Sequence, residues 1–415
     1  MEKVYDICCG IDVHKKLIVV CLRTGRKSEL REFGATTKEL LTLADWLNES
    51  GCEMVAMEST GSYWKPLYNV LEASEIKAMV VNAQHMKAVP GRKTDAKDAE
   101  WIADLLQHGL LKASYIPSKE QRELRELTRY RKSLVEERSR ELNRLQKMLE
   151  GANIKLSGTV STISGLSSRN ILNFIVEGGV FSEDVFDEML RKKEISYHLK
   201  ADPKQLVEDL NGVLSPIQKR MIKELLKHVD ELDIHIRNLD DEIDNFMNPE
   251  EEKAVKAICE IPGIGETSAK TIISIIGTDM ERFPSDRHIS KWAGVCPGNN
   301  ESAKKRKSGR TSKGNPVLRS TLVQCALAAA KRKDSYFSAQ YTRISAHRGK
   351  KRAAVAVAHS LLIAIYHVLK EKTTFCDLGS NYYNQFNKER KINVYLKKLK
   401  ALGWESDTAT ISLPA

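Results

Sequence analysis

The stretch Val4-Tyr-Asp-Ile-Cys-Cys-Gly-Ile-Asp12-Val-His-Lys-Lys16-Leu-Ile-Val-Val-Cys-Leu22 decides the fold. Its β-branched and apolar residues form two runs, Val4–Asp12 and Lys16–Leu22, joined by a tight connection. Ser28–Phe33 reads as a third strand. The period then changes: Leu40, Leu41, Leu43 and Trp46 recur at helical spacing over Thr37–Glu49. Met54–Met57 reads as a short buried strand, Ser62–Ala73 as a helix, Lys77–Val81 as a strand, and Asp95–His108 as a helix bearing Ile102, Leu105 and Leu106. The order β-β-β-α-β-α-β-α predicts an α/β domain over residues 1–115 with RNase H-like (RuvC-like) strand order.

That order gives four acidic residues a shared meaning. Asp12 ends the first strand, Glu58 follows the buried strand, and Asp95 and Asp98 stand three apart near a helix start. Residues at that spacing share a helix face. Such a cluster supplies the hard oxygen ligands that magnesium takes. Two ions about 4 Å apart stabilise both the attacking and the leaving oxygen of a phosphoryl transfer. Alone, each acid has a plainer reading: a solvated turn residue, or ordinary charge at a helix N-terminus. The expected metal is magnesium, with manganese as its substitute. His14 reads as a local hydrogen-bonding group, with a further ligand or a phosphate contact as its other readings; Tyr63, beside Trp64 at a helix start, reads as a packing residue, with a rival covalent nucleophile as its other reading.

Residues 116–250 read as helical. Residues 119–151 form one charged helix whose leucine seam is interrupted by Arg131 and Arg138. A second helix places Ile222, Leu225, Val229, Leu232, Ile236, Leu239, Ile243 and Phe246 alternately three and four apart, a coiled-coil heptad pattern ended by Asn248-Pro249. The two helices either pair within the chain or join two copies, and self-association is the favoured expectation. Residues 152–216 carry little pattern.

Residues 251–375 read as a basic, helical domain. Ile261-Pro-Gly263-Ile-Gly265 between apolar helices is a helix-hairpin-helix pattern. Its glycines permit a tight turn, and the amides that open the next helix suit a DNA phosphate. From Ser302 to Lys333 the chain has cations and no acid, among them Lys304, Lys305, Arg306, Lys307, Arg310, Lys313 and Arg319. Charge this one-sided suits a nucleic-acid backbone. Gly309 and Gly314 predict a turn or hairpin there. The tail, 376–415, shows no pattern.

Composition agrees. The 415 residues carry a net charge of +11, with 29% charged and 41% hydrophobic residues, the balance of a globular protein with polyanionic partners. Eight cysteines fall in no Cys-x-x-Cys pair or zinc pattern and read as reduced thiols. Glu2, Lys3 and Asp6 interrupt any leader-like apolar run, so a cytoplasmic protein is expected. Ala353–Leu369 is apolar, but its length and its His359, Ser360 and His367 predict a buried helix rather than a membrane span.

Gly10-Ile-Asp12-Val-His-Lys15, Glu58-Ser-Thr-Gly-Ser-Tyr-Trp64, Lys93-Thr-Asp95-Ala-Lys-Asp98-Ala99, Ile261-Pro-Gly-Ile-Gly265 and the Gly294-to-Arg319 stretch together resemble the insertion-sequence transposases of the IS110 family, with its IS1111 branch. The resemblance spans nearly the whole chain. It implies a DEDD metal tetrad on Asp12, Glu58, Asp95 and Asp98. It also implies a nucleophilic serine at Ser302, a short interval after Gly-x-x-Pro. Family members often follow that serine with glycine, where this chain has Ala303. Ser308 and Ser312 are the next candidates. The implied reaction is DNA recombination through a transient phosphoserine link. A structured guide RNA would pair with element-end and target DNA, and the protein would act as a dimer to tetramer. Residues alone leave two other functions standing: a structure-specific nuclease that uses water with the same four acids, and a binding-only relative. A sugar-kinase-like ATPase shares the early strand order but lacks a phosphate loop and leaves the basic half unexplained.

Overall fold

β1 (Ile7–Val13) is buried along nearly its whole length because both of its faces are covered. Cys9, Ile11 and Val13 meet Leu43, Leu47, Leu67 and Leu71 from α1 (Thr37–Glu49) and α2 (Trp64–Ala73) on one face. Cys8 meets Ile102 and Leu106 of α3 (Asp95–Gln107) on the other. β2 (Leu17–Thr24) and β3 (Lys27–Gly34) extend the sheet antiparallel on one side. β4 (Met54–Glu58) and β5 (Ala78–Val81) run parallel to β1 on the other, followed by antiparallel β6 (Ala113–Ser114). The sheet order is β3-β2-β1-β4-β5-β6, a mixed sheet compatible with an RNase H-like domain. β3 is almost wholly exposed, and its Lys27, Glu29, Arg31 and Glu32 put charge on the sheet edge, which discourages edge-to-edge pairing. The structure is a computed structural model that describes residues 3–59, 61–82, 95–160, 162–196, 202–297, 300–302, 305–308, 310–385 and 388–403. They fall into two units, Met1–Ser118 and Lys119–Ala415.

In the second unit α4 (Lys119–Gly151) lies along α9 (Pro216–Phe246). Leu134 packs with Leu232, Ile236 and Leu239. The two arginines that interrupt the leucine seam have partners across the pair. Arg131 holds Asp240 with two bonds, one of 2.9 Å, and Arg138 holds Asp233, with Nη2 to Oδ2 at 3.1 Å. Bidentate geometry makes such pairs specific in register. The heptad seam is thus used within the chain. Asn248-Pro249 begins the next helix as well as ending this one: Asn248 caps α10 (Pro249–Cys259) in a capping box with Glu251.

The uninformative stretch between the long helices folds into α5 (Leu156–Thr159), α6 (Leu166–Val176), α7 (Glu183–Arg191) and α8 (Pro203–Leu210). They bury Ile171, Leu172, Leu206 and Leu210 with Leu145 and Leu149 of α4 and Ile222 of α9.

The remaining core gathers α10, α11 (Glu266–Ile276), α12 (Asp286–Ala293), α13 (Pro316–Ala329), α14 (Tyr336–Arg348) and α15 (Lys350–Glu371) around Ile258, Ile272, Leu322, Leu361 and Ile365. α15 is the one helix among the described residues long and apolar enough to cross a membrane, and its Val357, Leu361 and Ile365 lie in this core. The tail begins with order that its sequence does not announce. Asp377 accepts from the Tyr336 amide at 2.9 Å, Tyr383 stacks on Tyr336, and Arg343 lies over the Tyr383 ring at 4.2 Å.

The buried C-terminal end of α11 presents carbonyls that its own helix leaves open. Arg125 of α4 donates to Ser274 O at 2.9 Å and to Ile275 O, and the Thr128 and Ser274 hydroxyls lie 3.0 Å apart. Removing a donor from buried acceptors costs about 1–3 kcal/mol. Arg125→Ala is therefore expected to lower the unfolding free energy by that much, read in urea as a lower midpoint at an unchanged slope; an unmoved midpoint would show that water replaces the guanidinium.

Candidate functional site

The register of β1 on β4 pairs Gly10 with Ala56 and Ile11 with Met57. Its continuation sets Asp12 beside Glu58 at the carboxyl ends of neighbouring parallel strands. Side chains alternate along a strand, so both acids share the face of Cys8 and Ala56, the face that α3 covers. Asp12 is 6% exposed and Glu58 is half-buried.

Gly10 explains how α3 comes so close. A Cβ there would stand 2.3 Å from Ala103 N and 2.4 Å from Ala99 O, closer than any side chain fits. Helix backbone therefore rests on strand backbone. Leu106 lies by Cys8 and Ala99 by Gly10, so α3 runs back along β1, with its first turns toward Asp12. Asp98, half-buried, is on those turns. Asp95 opens α3, and its side chain is outside the described residues. His14 Nε2 lies 3.1 Å from Asp12 Oδ2, so this histidine's neighbour is an acid of the set.

Among the described residues no three His, Cys, Asp or Glu side chains converge tightly enough to hold a metal ion. The donor chemistry nonetheless fits a hard divalent cation: carboxylate oxygens, brought to one end of one sheet face, without thiolates among them. Cys8 and Cys9 point into the cores, and burial pushes the Cys8 thiol up to about 11. Tyr63, expected to pack, is instead 44% exposed, while the neighbouring Trp64 packs edge-on against Tyr68.

In the second unit, the turn between α10 and α11 divides its two glycines. Gly263 has φ +86°, and a Cβ on it would lie 2.4 Å from Cys325 O and 2.5 Å from Ala329 N of α13. It thus faces the core, and its role is close packing. Gly265, the N-cap of α11, has open space around it. The first turn of α11 carries Glu266, which binds Lys270 at 2.8 Å, and Asp244 binds the same lysine. Two carboxylates and one ammonium therefore meet at this turn.

The basic segment forms a hairpin. β7 (Asn300–Ser302) pairs antiparallel with β8 (Lys305–Ser308), Ser302 opposite Lys305, with an irregularity at Asn300 and Glu301. Ser302 therefore ends its strand at the tip of the hairpin. Its side chain, those of Lys305, Arg306 and Lys307, and the whole of Lys304 are outside the described residues. The base is fastened by backbone contact: a Cβ on Gly314 would lie 2.4 Å from Gly294 N, and Gly294 has φ +72°. Ser312 Oγ donates to Lys291 O at 3.3 Å, which gives this serine a structural partner. Below the hairpin Arg310 and Lys313 are exposed and Arg319 is half-buried.

Residues 9–154 match the DEDD transposase model of the IS110 family, and residues 255–342 match the Transposase IS116/IS110/IS902 family model, together more than half of the chain. The transposase for insertion sequence element IS1111A of Coxiella burnetii is 23% identical over 374 residues, 88% of this chain and 87% of that protein. A probable family 20 transposase of Pseudomonas aeruginosa is 22% identical over 378 residues, 88% of this chain and 94% of the relative. The first match begins within β1 and takes in Asp12, Glu58, Asp95 and Asp98; the second contains the α10–α11 turn and the hairpin with Ser302. The chain belongs to the IS110 family of insertion-sequence transposases.

Proposed function

We propose that the chain cuts and rejoins DNA as a recombinase of its own mobile element, with Asp12, Glu58, Asp95 and Asp98 holding divalent metal, magnesium in the cell, and Ser302 as the nucleophile. The reading rests first on the shared strand-end position of Asp12 and Glu58 beneath a helix that opens Asp95-x-x-Asp98. When bound, magnesium would supply Lewis-acid polarisation of the scissile phosphate.

The chain's own groups would do the rest. Ser302 Oγ attacks phosphorus, a bond forms from that oxygen to phosphorus, and the bond to a deoxyribose oxygen breaks. The proton lost by the serine ends on the departing sugar hydroxyl. Attack by another strand's hydroxyl reverses these changes and frees the serine, so no net P–O bond is lost and no external energy source is needed. The cationic hairpin would hold the phosphate backbone. A serine at a hairpin tip can approach a duplex that a serine in a core cannot. A guide RNA paired with both DNAs, and self-association to a dimer or tetramer, complete the reading; both come from the family resemblance.

Incubation with element-end DNA and RNA transcribed from the element's flanks tests the function. Strand transfer is expected with magnesium or manganese, is lost in chelator, and returns on adding the metal. Cleavage at full rate in chelator would contradict the metal role. The hairpin has its own test. Replacing Lys304, Lys305, Arg306 and Lys307 with Gln is expected to weaken duplex binding and to flatten log affinity against log salt by up to about 3.6, near 0.9 for each phosphate left unneutralised. An unchanged salt slope would take these four residues off the backbone.

A further inference from the structure

At the base of the hairpin the second unit opens into a cleft of about 990 Å³. Arg310 lines it from the base of the hairpin, Arg319 from the first turn of α13, and Lys351 and Arg352 from the first turn of α15. That turn holds Lys350, Lys351 and Arg352 with no acidic residue, and its N-cap, Gly349, makes no side-chain cap. Cations at a helix N-terminus oppose the helix dipole. Three of them there cost helix stability unless an anion lies against them.

The depth of the cleft is different. Val295, Pro297, Val355 and Ala356 give it apolar walls, and His359 lines it too. Burial lowers the pKa of His359, with Asp286 opposing, which favours the uncharged ring, a stacking surface. Gln340 is only 9% exposed, and it lines the same cleft. Its Nε2 donates to Ser360 Oγ at 2.9 Å, and its Oε1 is buried without a hydrogen-bond partner. A buried unsatisfied amide oxygen is costly. The Ser360 hydroxyl itself donates to Ala356 O at 3.3 Å, so Gln340 Nε2 is the donor of the pair and Oε1 is the end left for a ligand.

Cations at the mouth, apolar walls within, and an amide with one unused end suit a ligand with a phosphate, a flat π-face and a hydrogen-bonding edge. We propose that this cleft receives one unpaired nucleotide of a DNA or RNA strand. Its base would lie on Val355 and Ala356, with its edge on Gln340 and its phosphate among Lys351, Arg352, Arg310 and Arg319. A stacked base pair has no free face to offer such walls, so the strand must be single or the nucleotide extruded. The proposal rests on the nucleic-acid-binding reading above, but needs neither the carboxylates nor Ser302.

The test uses the full chain without metal, and short single strands carrying one 4-thio-pyrimidine, made both as DNA and as RNA. Ultraviolet cross-linking is expected to place the base on the tryptic peptide Ala353–Lys370. Whichever strand type cross-links there names the source. An abasic nucleotide at that position is expected to weaken binding about 5- to 150-fold, the usual value of a stacked base. The exposed pair Lys351→Gln and Arg352→Gln, which leaves the core untouched, is expected to lower the single-strand salt slope by about 1.4. Cross-links confined to other peptides, or an abasic strand that binds as tightly as its parent, would overturn the proposal. Strand transfer lost with the cross-link intact would fail the recombinase reading alone; the cross-link lost with strand transfer intact would fail the cleft alone.

Discussion

An Asp12→Asn chain is expected to lose strand cleavage by at least about 10³-fold, the equivalent of roughly 4 kcal/mol in the barrier, while binding DNA as the parent does. The substitution keeps the shape of a side chain that is 6% exposed and removes one negative oxygen beside Glu58. Without metal, that buried charge is a burden to the fold, because acids held at one end of a sheet repel one another and are poorly solvated. The metal-free variant is therefore expected to be as stable as the parent, or more so. Metal should then divide them. Magnesium at about 100 times its Kd stabilises a chain that binds it by roughly 2.7 kcal/mol. The parent's thermal midpoint should rise with magnesium, and the variant's should rise less or not at all. Equal midpoint shifts in both, with cleavage intact, would remove Asp12 from the metal site.

Ser302→Ala is expected to have the second large effect, on the cut that leads to recombination and so on rejoining as well. In register with Ser302 the opposite strand has Lys305, whose amine is not a hydroxyl that could form the phosphoserine link. Recombination should fall by about 10⁴-fold or more, as it does in other enzymes that lose their nucleophile. The fold should be unchanged, since alanine suits the end of a short strand. Any cleavage that persists would be hydrolysis, with free ends and no joined product. Joined product at the parent's rate would move the nucleophile to another residue. Ser308 is then the nearest alternative, and Tyr63, exposed as it is, becomes a second.

The first domain is legible because its signals are local. Continuous β-branched and apolar runs give the buried strands, and α1 spans Thr37–Glu49 as its apolar spacing predicts. β6 leaves no trace in the sequence because two residues cannot show a period. Both long helices follow from spacing too, and yet Arg131 and Arg138 read as faults in a seam. They are joints, but their partners Asp240 and Asp233 lie about a hundred residues away, where no local pattern connects them. Separation along the chain also hides the cleft. Arg310 and Arg319 belong to an evident basic run, whereas Gln340, Lys351 and Arg352 join them only once α14 and α15 pack.

Gly263 shows a subtler limit. A glycine in Ile-Pro-Gly-Ile-Gly suggests a turn with free amides, and the turn is there. Whether its open side faces a phosphate or another helix depends on what packs behind it, and behind Gly263 stands α13. The acids that neutralise Lys270 come from two elements, one of them α9, and only the fold brings Asp244 to that turn. Among the acids of the first domain the opposite holds: strand register alone sets Asp12 next to Glu58, and β-propensity already placed both strands.

The most direct measurement is to trap the wild-type chain on element-end DNA with magnesium and guide RNA, digest it, and find the modified residue by mass spectrometry. A nucleotide joined through phosphate to Ser302, absent in Ser302→Ala and in Asp12→Asn, is the predicted result. Cleaved DNA with no protein adduct would contradict it and make the chain a nuclease that uses water.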